Sequence, residues 1–255
     1  MSTTHEGGRP LLEEPEAPPR TNGAATGLLR LPESHASEAL ARRLPREWIL
    51  PGADEFFRRI YTRSSGGRAD VLAVCSAISG EGKTTVSLGL GVTIAEDFPD
   101  RRVLIVETDL EKPVLAKDFQ VDPTPGLADC LLNSEPVEMA FRPTYLENLQ
   151  LVPAGNPSRS SGRLLRSSGM AMAIDVMRTT HDVVILDVPA LLTNSDAMLL
   201  TDLADGVLMV VRAGVTPVTQ VNKAVEELDE GRLRGVVLNG YAPATPGWLR
   251  RLLGW

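Results

Sequence analysis

The chain has 255 residues, a net charge of −7, 43% hydrophobic residues and only 4% aromatic ones. That length and aliphatic content suit one large α/β domain or two small ones. The acidic balance excludes bulk nucleic-acid binding, which needs a basic face to displace counterions. Cys75 and Cys130 lie outside any CxxC or Cys/His cluster and read as reduced core thiols of a cytosolic protein. His5, His35 and His181 are scattered and are assigned no chemistry.

The first ten residues, MSTTHEGGRP, are polar and carry no secretory signal. No uncharged apolar run approaches the roughly 20 residues that span a bilayer. The expectation is a soluble chain that reaches a membrane only through another protein. Residues 1–50 are rich in Pro, Glu, Arg and small side chains (EEPEAPPRTNGAATG). Such a stretch buries too little apolar surface to offset its ordering entropy, so a disordered Pro-rich tail is expected. ADEFFRRIYTR then predicts a short helix with Phe56, Phe57 and Ile60 on one face.

Beyond it, apolar runs alternate with helical stretches. The runs are VLAVC (71–75), VLIV (103–106), LQLVP (149–153), VVILD (183–187), GVLMVV (206–211) and GVVLN (235–239). Helices are predicted near 84–96, 169–179, 195–203 and 217–229. Continuous apolar strands alternating with helices predict an α/β fold, doubly wound, with a mostly parallel sheet flanked by helices. Strand order is not readable from the sequence. The domain expected from this pattern spans 51–243, and 244–255 is a short amphipathic tail. In GWLRRLLGW, Trp248, Leu249, Leu252, Leu253 and Trp255 share one helical face. That face suits a membrane surface, a partner, or packing on its own domain.

SAISGEGKTT (76–85) joins the first strand to the first long helix. Glycines let a backbone approach closely with positive φ. Successive N–H groups and the helix N-terminus then cradle phosphate oxygens. The pattern is GxxxxGK[ST] with Ala77 in its first position. It assigns Ser79, Gly80, Glu81, Gly82, Lys83, Thr84 and Thr85 to a nucleoside triphosphate, read as ATP. Lys83 would reach the outer phosphates, and the Thr84 hydroxyl would bind Mg²⁺. Three acids follow at strand ends. Asp187 closes VVILD, as a Walker B carboxylate does. Glu107 and Asp109 in VLIVETDLEKP would lie on one side of an extended segment and face the crevice at the strand C-termini. Thr84, Asp109 and Asp187 are the candidate metal ligands. Lys83, Glu107, Asp109 and Asp187 are the candidate catalytic residues, one acid accepting a proton from water or a protein hydroxyl.

These motifs together resemble the bacterial tyrosine kinases of capsule and exopolysaccharide export (BY-kinases), within the MinD/ParA-type deviant P-loop ATPases. SGEGKTT, LIVETDLEK, HDVVILDVPA and NSDAMLLTDLADGVLMVVRAGVT carry the resemblance over about residues 50–241, with GLADCLL, LVPAG and VVLNGY in connecting positions. It implies an ATP- and Mg²⁺-dependent protein tyrosine kinase regulating polysaccharide synthesis or export. Lys83, Thr84 and Asp187 would engage Mg·ATP, Glu107 and Asp109 would lie around the γ-phosphate and the incoming tyrosine hydroxyl, and Asn239 would lie near the adenine. It also implies a protein tyrosine substrate and a membrane-embedded chain-length regulator. That regulator would activate the chain and recruit it from the cytoplasm to the inner face of the plasma membrane. A homo-oligomer would form through Glu55 and Arg58 of an EX₂RX₂R-like helix, with Tyr61 where the last Arg belongs.

Two departures keep other classes open. Glu107 stands in place of an Asp, adding about 1.5 Å of reach where a 1 Å misplacement costs on the order of 10²-fold in rate. Glu111 replaces the motif's Arg. The chain also holds three tyrosines, Tyr61, Tyr145 and Tyr241, and no terminal tyrosine cluster. The alternatives are a catalytically weakened ATPase acting as a nucleotide-dependent switch, and a MinD/ParA-type positioning ATPase. Against the latter, Ile78 stands where that class carries an extra lysine.

Overall fold

A computed structural model describes residues 70–119, 121–156, 161–229 and 231–240, with Glu55, Arg58 and Tyr61 upstream. The expectations for residues 1–50, for Phe56, Phe57 and Ile60, and for the tail 244–255 lie outside the described residues. So does Tyr241.

The strands are β1 (Asp70–Ser76), β2 (Val103–Glu107), β3 (Arg142–Pro143), β4 (Leu149–Val152), β5 (Val183–Asp187), β6 (Gly206–Arg212) and β7 (Leu233–Asn239). The helices are α1 (Lys83–Asp97), α2 (Leu115–Phe119), α3 (Leu127–Asn133), α4 (Ser161–Leu165), α5 (Ser168–Thr180), α6 (Asp196–Asp202) and α7 (Val218–Glu226), with a 3₁₀ turn at Val137–Ala140. Among the described residues, seven strands form one sheet in the order β3-β4-β2-β5-β1-β6-β7. All neighbours are parallel except β3 and β4. The predicted α/β architecture is the observed one. Each long apolar run became a strand, and each long helical stretch a helix.

The runs are apolar throughout because both faces are covered, as parallel sheets require. Period two divides them. Val71, Ala73, Leu186 and Met209 point to the face carrying α3, α5, α6 and α7. Leu72, Val74, Ile105, Ile185 and Leu208 point to the face covered by α1. Helix α1 is buried almost all round, from Val86 to Ala95. Gly91 makes this possible: a Cβ there would stand 2.5 Å from the Ile105 Cδ1. Tyr61 packs into the same layer with its ring centroid 4.8 Å from that of Phe98, and the Arg58 guanidinium forms a two-pronged ion pair with Asp97. The position where the resemblance looks for an arginine is therefore filled by a buried ring. Cys75 and Cys130 are free and buried, and burial pushes the Cys75 thiol up to about 12.

The elements that the pattern did not announce are short: α2, α3, α4, the 3₁₀ turn and the two-residue β3. Their sequences carry no readable apolar period, and tertiary contacts hold them. Helix α3 shows how. Leu127 and Ala128 donate their N–H groups to the carbonyls of Pro153 and Ala154, each at 2.8 Å. The Asp129 carboxylate accepts from Gly126 N at 2.8 Å and Asn156 N at 3.3 Å.

Two outcomes follow from this packing. A Cβ on Gly126 would lie 2.2 Å from the Gly155 nitrogen and 2.3 Å from its Cα, backbone that no rotamer change can clear. Gly126→Ala should lower the unfolding free energy by at least about 1–3 kcal/mol in urea denaturation, the usual cost of overpacking. The second concerns His181, buried at the end of α5. Its ring nitrogens meet Thr180 Oγ1 at 2.9 Å and Gln150 Oε1 at 3.0 Å, and Phe141 packs edge-on at 5.2 Å. Burial, with help from Arg102, pushes its pKa down to about 4 from 6.5. The neutral ring stabilises the fold at pH above 6.5, and that contribution is lost as pH falls toward 4. His181→Gln should flatten the acid limb of stability across this window by about 1–3 kcal/mol in equilibrium unfolding.

Candidate active site

The loop between β1 and α1 owes its shape to two glycines. Gly80 and Gly82 have φ of 84° and 90°, the left-handed region where a side chain is strained. Gly82 is the N-cap of α1 and contributes no side-chain cap. Only Val86 N, bonded to Gly82 O at 3.0 Å, closes the first helical turn. The N–H groups of Lys83, Thr84 and Thr85 are left for an anion at the positive end of a 15-residue helix.

Beneath that helix end lies Asp187, the last residue of β5. It is 4% exposed. One carboxylate oxygen accepts from Thr84 Oγ1 at 2.6 Å and the other from Ser87 Oγ at 3.2 Å. Burial pushes its pKa up to about 6, against the opposing pull of Thr84 and the Lys83 charge. Ser87 was not singled out in the sequence. Its spacing is the missing signal, since i and i+3 on a helix share a face and Thr84 had already been assigned. A hydroxyl and a carboxylate in contact beside a lysine form an oxygen-rich, partly compensated set that fits a hard divalent cation and a phosphate.

Glu107 is the register partner of Asp187 on β2. Its carboxylate is buried and fully engaged. One oxygen accepts from Val114 N and from Leu115 N, the latter at 2.8 Å, and the other accepts from Ala154 N at 3.0 Å. Burial raises its pKa, while the three amides oppose the shift. Asp109 is in a different environment. The strand ends at Glu107 and the chain turns, with Leu110 N bonded to Thr108 O at 3.0 Å. The extended segment expected to align the two acids therefore stops between them. Asp109 is half-buried and accepts from Lys112 N at 3.1 Å. Thr108 fastens the turn to the Walker B strand, its hydroxyl donating to Asp187 O at 2.8 Å.

On the other flank, the Glu81 side chain is buried and reaches Ile78 N at 2.8 Å, Arg212 N at 3.0 Å and the Thr216 hydroxyl. Asn239, at the end of β7, donates its side-chain amide to Glu81 O at 2.8 Å. Lys83, Thr84 and Asp187 are thus brought to one helix end, and Asn239 to the same loop from the far side. Sequence reasoning did not find Arg212 and Thr216, because nothing local marks a loop 131 residues away as a partner of Glu81.

The anchoring of Glu107 has a measurable consequence. Glu107→Ala would leave three amides without their acceptor and should cost about 2–4 kcal/mol of unfolding free energy, read by urea denaturation.

No family model matches the chain. It is 32% identical over 169 residues to the tyrosine-protein kinase YwqD of Bacillus subtilis, covering 66% of this chain and 70% of YwqD. It is 31% identical over 180 residues to the succinoglycan biosynthesis transport protein ExoP of Rhizobium meliloti, covering 69% of this chain but only 23% of ExoP. Among solved structures, the kinase domain of the Escherichia coli tyrosine kinase ETK superposes with a TM-score of 0.72 over 82% of this chain and 89% of that domain. At 23% identity that likeness speaks for the fold. A kinase relative matched over most of its length, carried on this fold and with a P-loop at the head of α1, sets the assignment: the chain belongs to the family of bacterial tyrosine-protein kinases.

Proposed function

We propose that this chain is an ATP-dependent protein tyrosine kinase regulating exopolysaccharide or capsule synthesis or export. The observation that carries the reading is the uncapped N-terminus of α1 directly above the Thr84–Asp187 pair, in a member of this kinase family. Ser79 to Thr85 would hold the triphosphate of ATP, and Thr84, Asp187 and Asp109 would hold Mg²⁺. Bound there, the metal supplies neutralisation of phosphoryl charge.

The chain's own groups divide the remaining work. The free amides of the first turn orient the phosphates. Lys83 opposes the charge that develops during transfer. Asp187 orients the Thr84 hydroxyl. Asp109 is the half-buried acid beyond β2, suited to take the proton from an incoming tyrosine Oη. Glu107 holds the turn that presents it, through Val114 and Leu115. In this reading Asn239 lies on the adenine side.

The tyrosine acceptor belongs to another protein or to Tyr241. Tyr61 is buried, and Tyr145 is half-buried against the core. Among the described residues no helix is long and apolar enough to cross a membrane. A membrane-embedded chain-length regulator is the proposed activator, recruiting the chain from the cytoplasm to the inner face of the plasma membrane. Self-association through Glu55 and Arg58 belongs to the same reading.

A nucleotide-dependent switch without tyrosine transfer is the second reading. The engagement of the Glu107 carboxylate by three amides favours it. One experiment separates the two. The purified chain is incubated with Mg·ATP, with and without the cytoplasmic part of a co-encoded membrane partner, and phosphotyrosine is mapped by mass spectrometry. The kinase reading expects phosphotyrosine that drops at least about 100-fold in Lys83→Met. ATP binding with no phosphotyrosine in either condition overturns it in favour of the switch.

A further inference from the structure

Glu81 is an acid inside a loop assigned to a triphosphate. At about 6 Å and an effective dielectric near 20, two like unit charges repel by about 3 kcal/mol. A carboxylate is expected in such a place only if it does something else. Its three donors show what. Ile78 N belongs to the phosphate loop itself, while Arg212 N ends β6 and the Thr216 hydroxyl lies in the turn from β6 to α7.

The connection closes into a ring. Ala213 N donates to the main-chain carbonyl of Asn239 at 2.9 Å, and the Asn239 side chain donates to the Glu81 carbonyl at 2.8 Å. The Arg212 guanidinium adds a bond to Gly80 O at 3.3 Å. The end of β7 and the 212–216 segment are already joined by the sheet and by Ala213 N, and Glu81 supplies most of the bonds that tie this pair to the phosphate loop.

The sheet order says what this ring faces. β1 sits between β5 and β6. The acids Asp187 and Glu107 end β5 and β2 on one flank. The turn and Asn239 lie at β6 and β7 on the other. With the acids on the β5 flank, the open side left for the base of a nucleotide whose phosphates lie on the β1–α1 loop would be toward β6 and β7, where Asn239 meets the loop.

We infer that Glu81 is a positioning residue that fixes the base side of the nucleotide site, the 212–216 turn and Asn239, to the phosphate loop. The inference rests on the nucleotide reading above. Its signature is a loss confined to the nucleoside part of the ligand.

The test uses Thr216→Val, which removes one donor to Glu81 and keeps the shape, with Thr216→Ser as the conservative rescue. Calorimetry compares ATP with inorganic tripolyphosphate, both with Mg²⁺. Hydrogen exchange follows the 212–216 segment in ligand-free protein. The expected result is an ATP affinity about ten-fold weaker, unchanged tripolyphosphate affinity and faster exchange over 212–216, with ATP affinity and exchange both restored in Thr216→Ser. Equal loss of both ligands, or loss of neither, overturns the inference. Wild-type protein that binds neither ligand overturns the nucleotide reading itself, a different failure from a variant that behaves as wild type.

Discussion

The buried carboxylate of Asp187 is the constraint around which the rest of this site is arranged. An acid at the end of a central parallel strand, almost without solvent, is costly in its ionised form, and burial drives its pKa up to about 6. What makes it tolerable are two hydroxyls on the first turns of α1 and the positive charge of Lys83. Those hydroxyls reach it because α1 packs directly on the sheet, with Gly91 against the Ile105 side chain. The close packing of one helix is thus also what brings the lysine, the threonine and the aspartate to a single point.

From that point the two flanks of the sheet take different tasks. Toward β2 the chain turns sharply after Glu107, and the turn is pinned to Asp187 O by Thr108 and to Glu107 through Val114 and Leu115. Ala154 joins the same carboxylate from the end of β4, and α3 docks on that segment in turn. Toward β7 the carboxylate of Glu81 plays the corresponding part. Two buried glutamates, each satisfied mainly by backbone N–H groups, hold the loops on either side of the phosphate loop. Buried carboxylates with three donors each are stiff elements, since breaking any one bond leaves charge or amide unsatisfied in low dielectric.

The sequence was legible where the signal was long or chemically unusual. The strands at 71–75, 103–106, 183–187 and 206–211 lie within a residue or two of the observed ones, because a parallel sheet covered on both faces needs unbroken apolar runs. The phosphate loop was legible because glycine, lysine and hydroxyl residues at that spacing, between strand and helix, have few other uses. Helices α2, α3 and α4 and the strand β3 were not, because they carry no clear apolar period and are specified by what they dock on. Glu107 shows the same limit at a single residue: its identity and its strand-end position were readable, but its three amide partners lie seven, eight and 47 residues away.

The sequence by itself determined the fold class, the anion-binding helix end and the acids placed to meet it, since periodicity and local motif chemistry act over neighbouring residues. Only the tertiary structure decided the strand order, and with it which acid stands beside which hydroxyl. It also decided that Glu81 and Glu107 turn their carboxylates to distant backbone amides while Asp109 lies half-buried beyond the strand. Those outcomes depend on long-range hydrogen bonds and on the burial of charge, which no stretch of sequence encodes on its own.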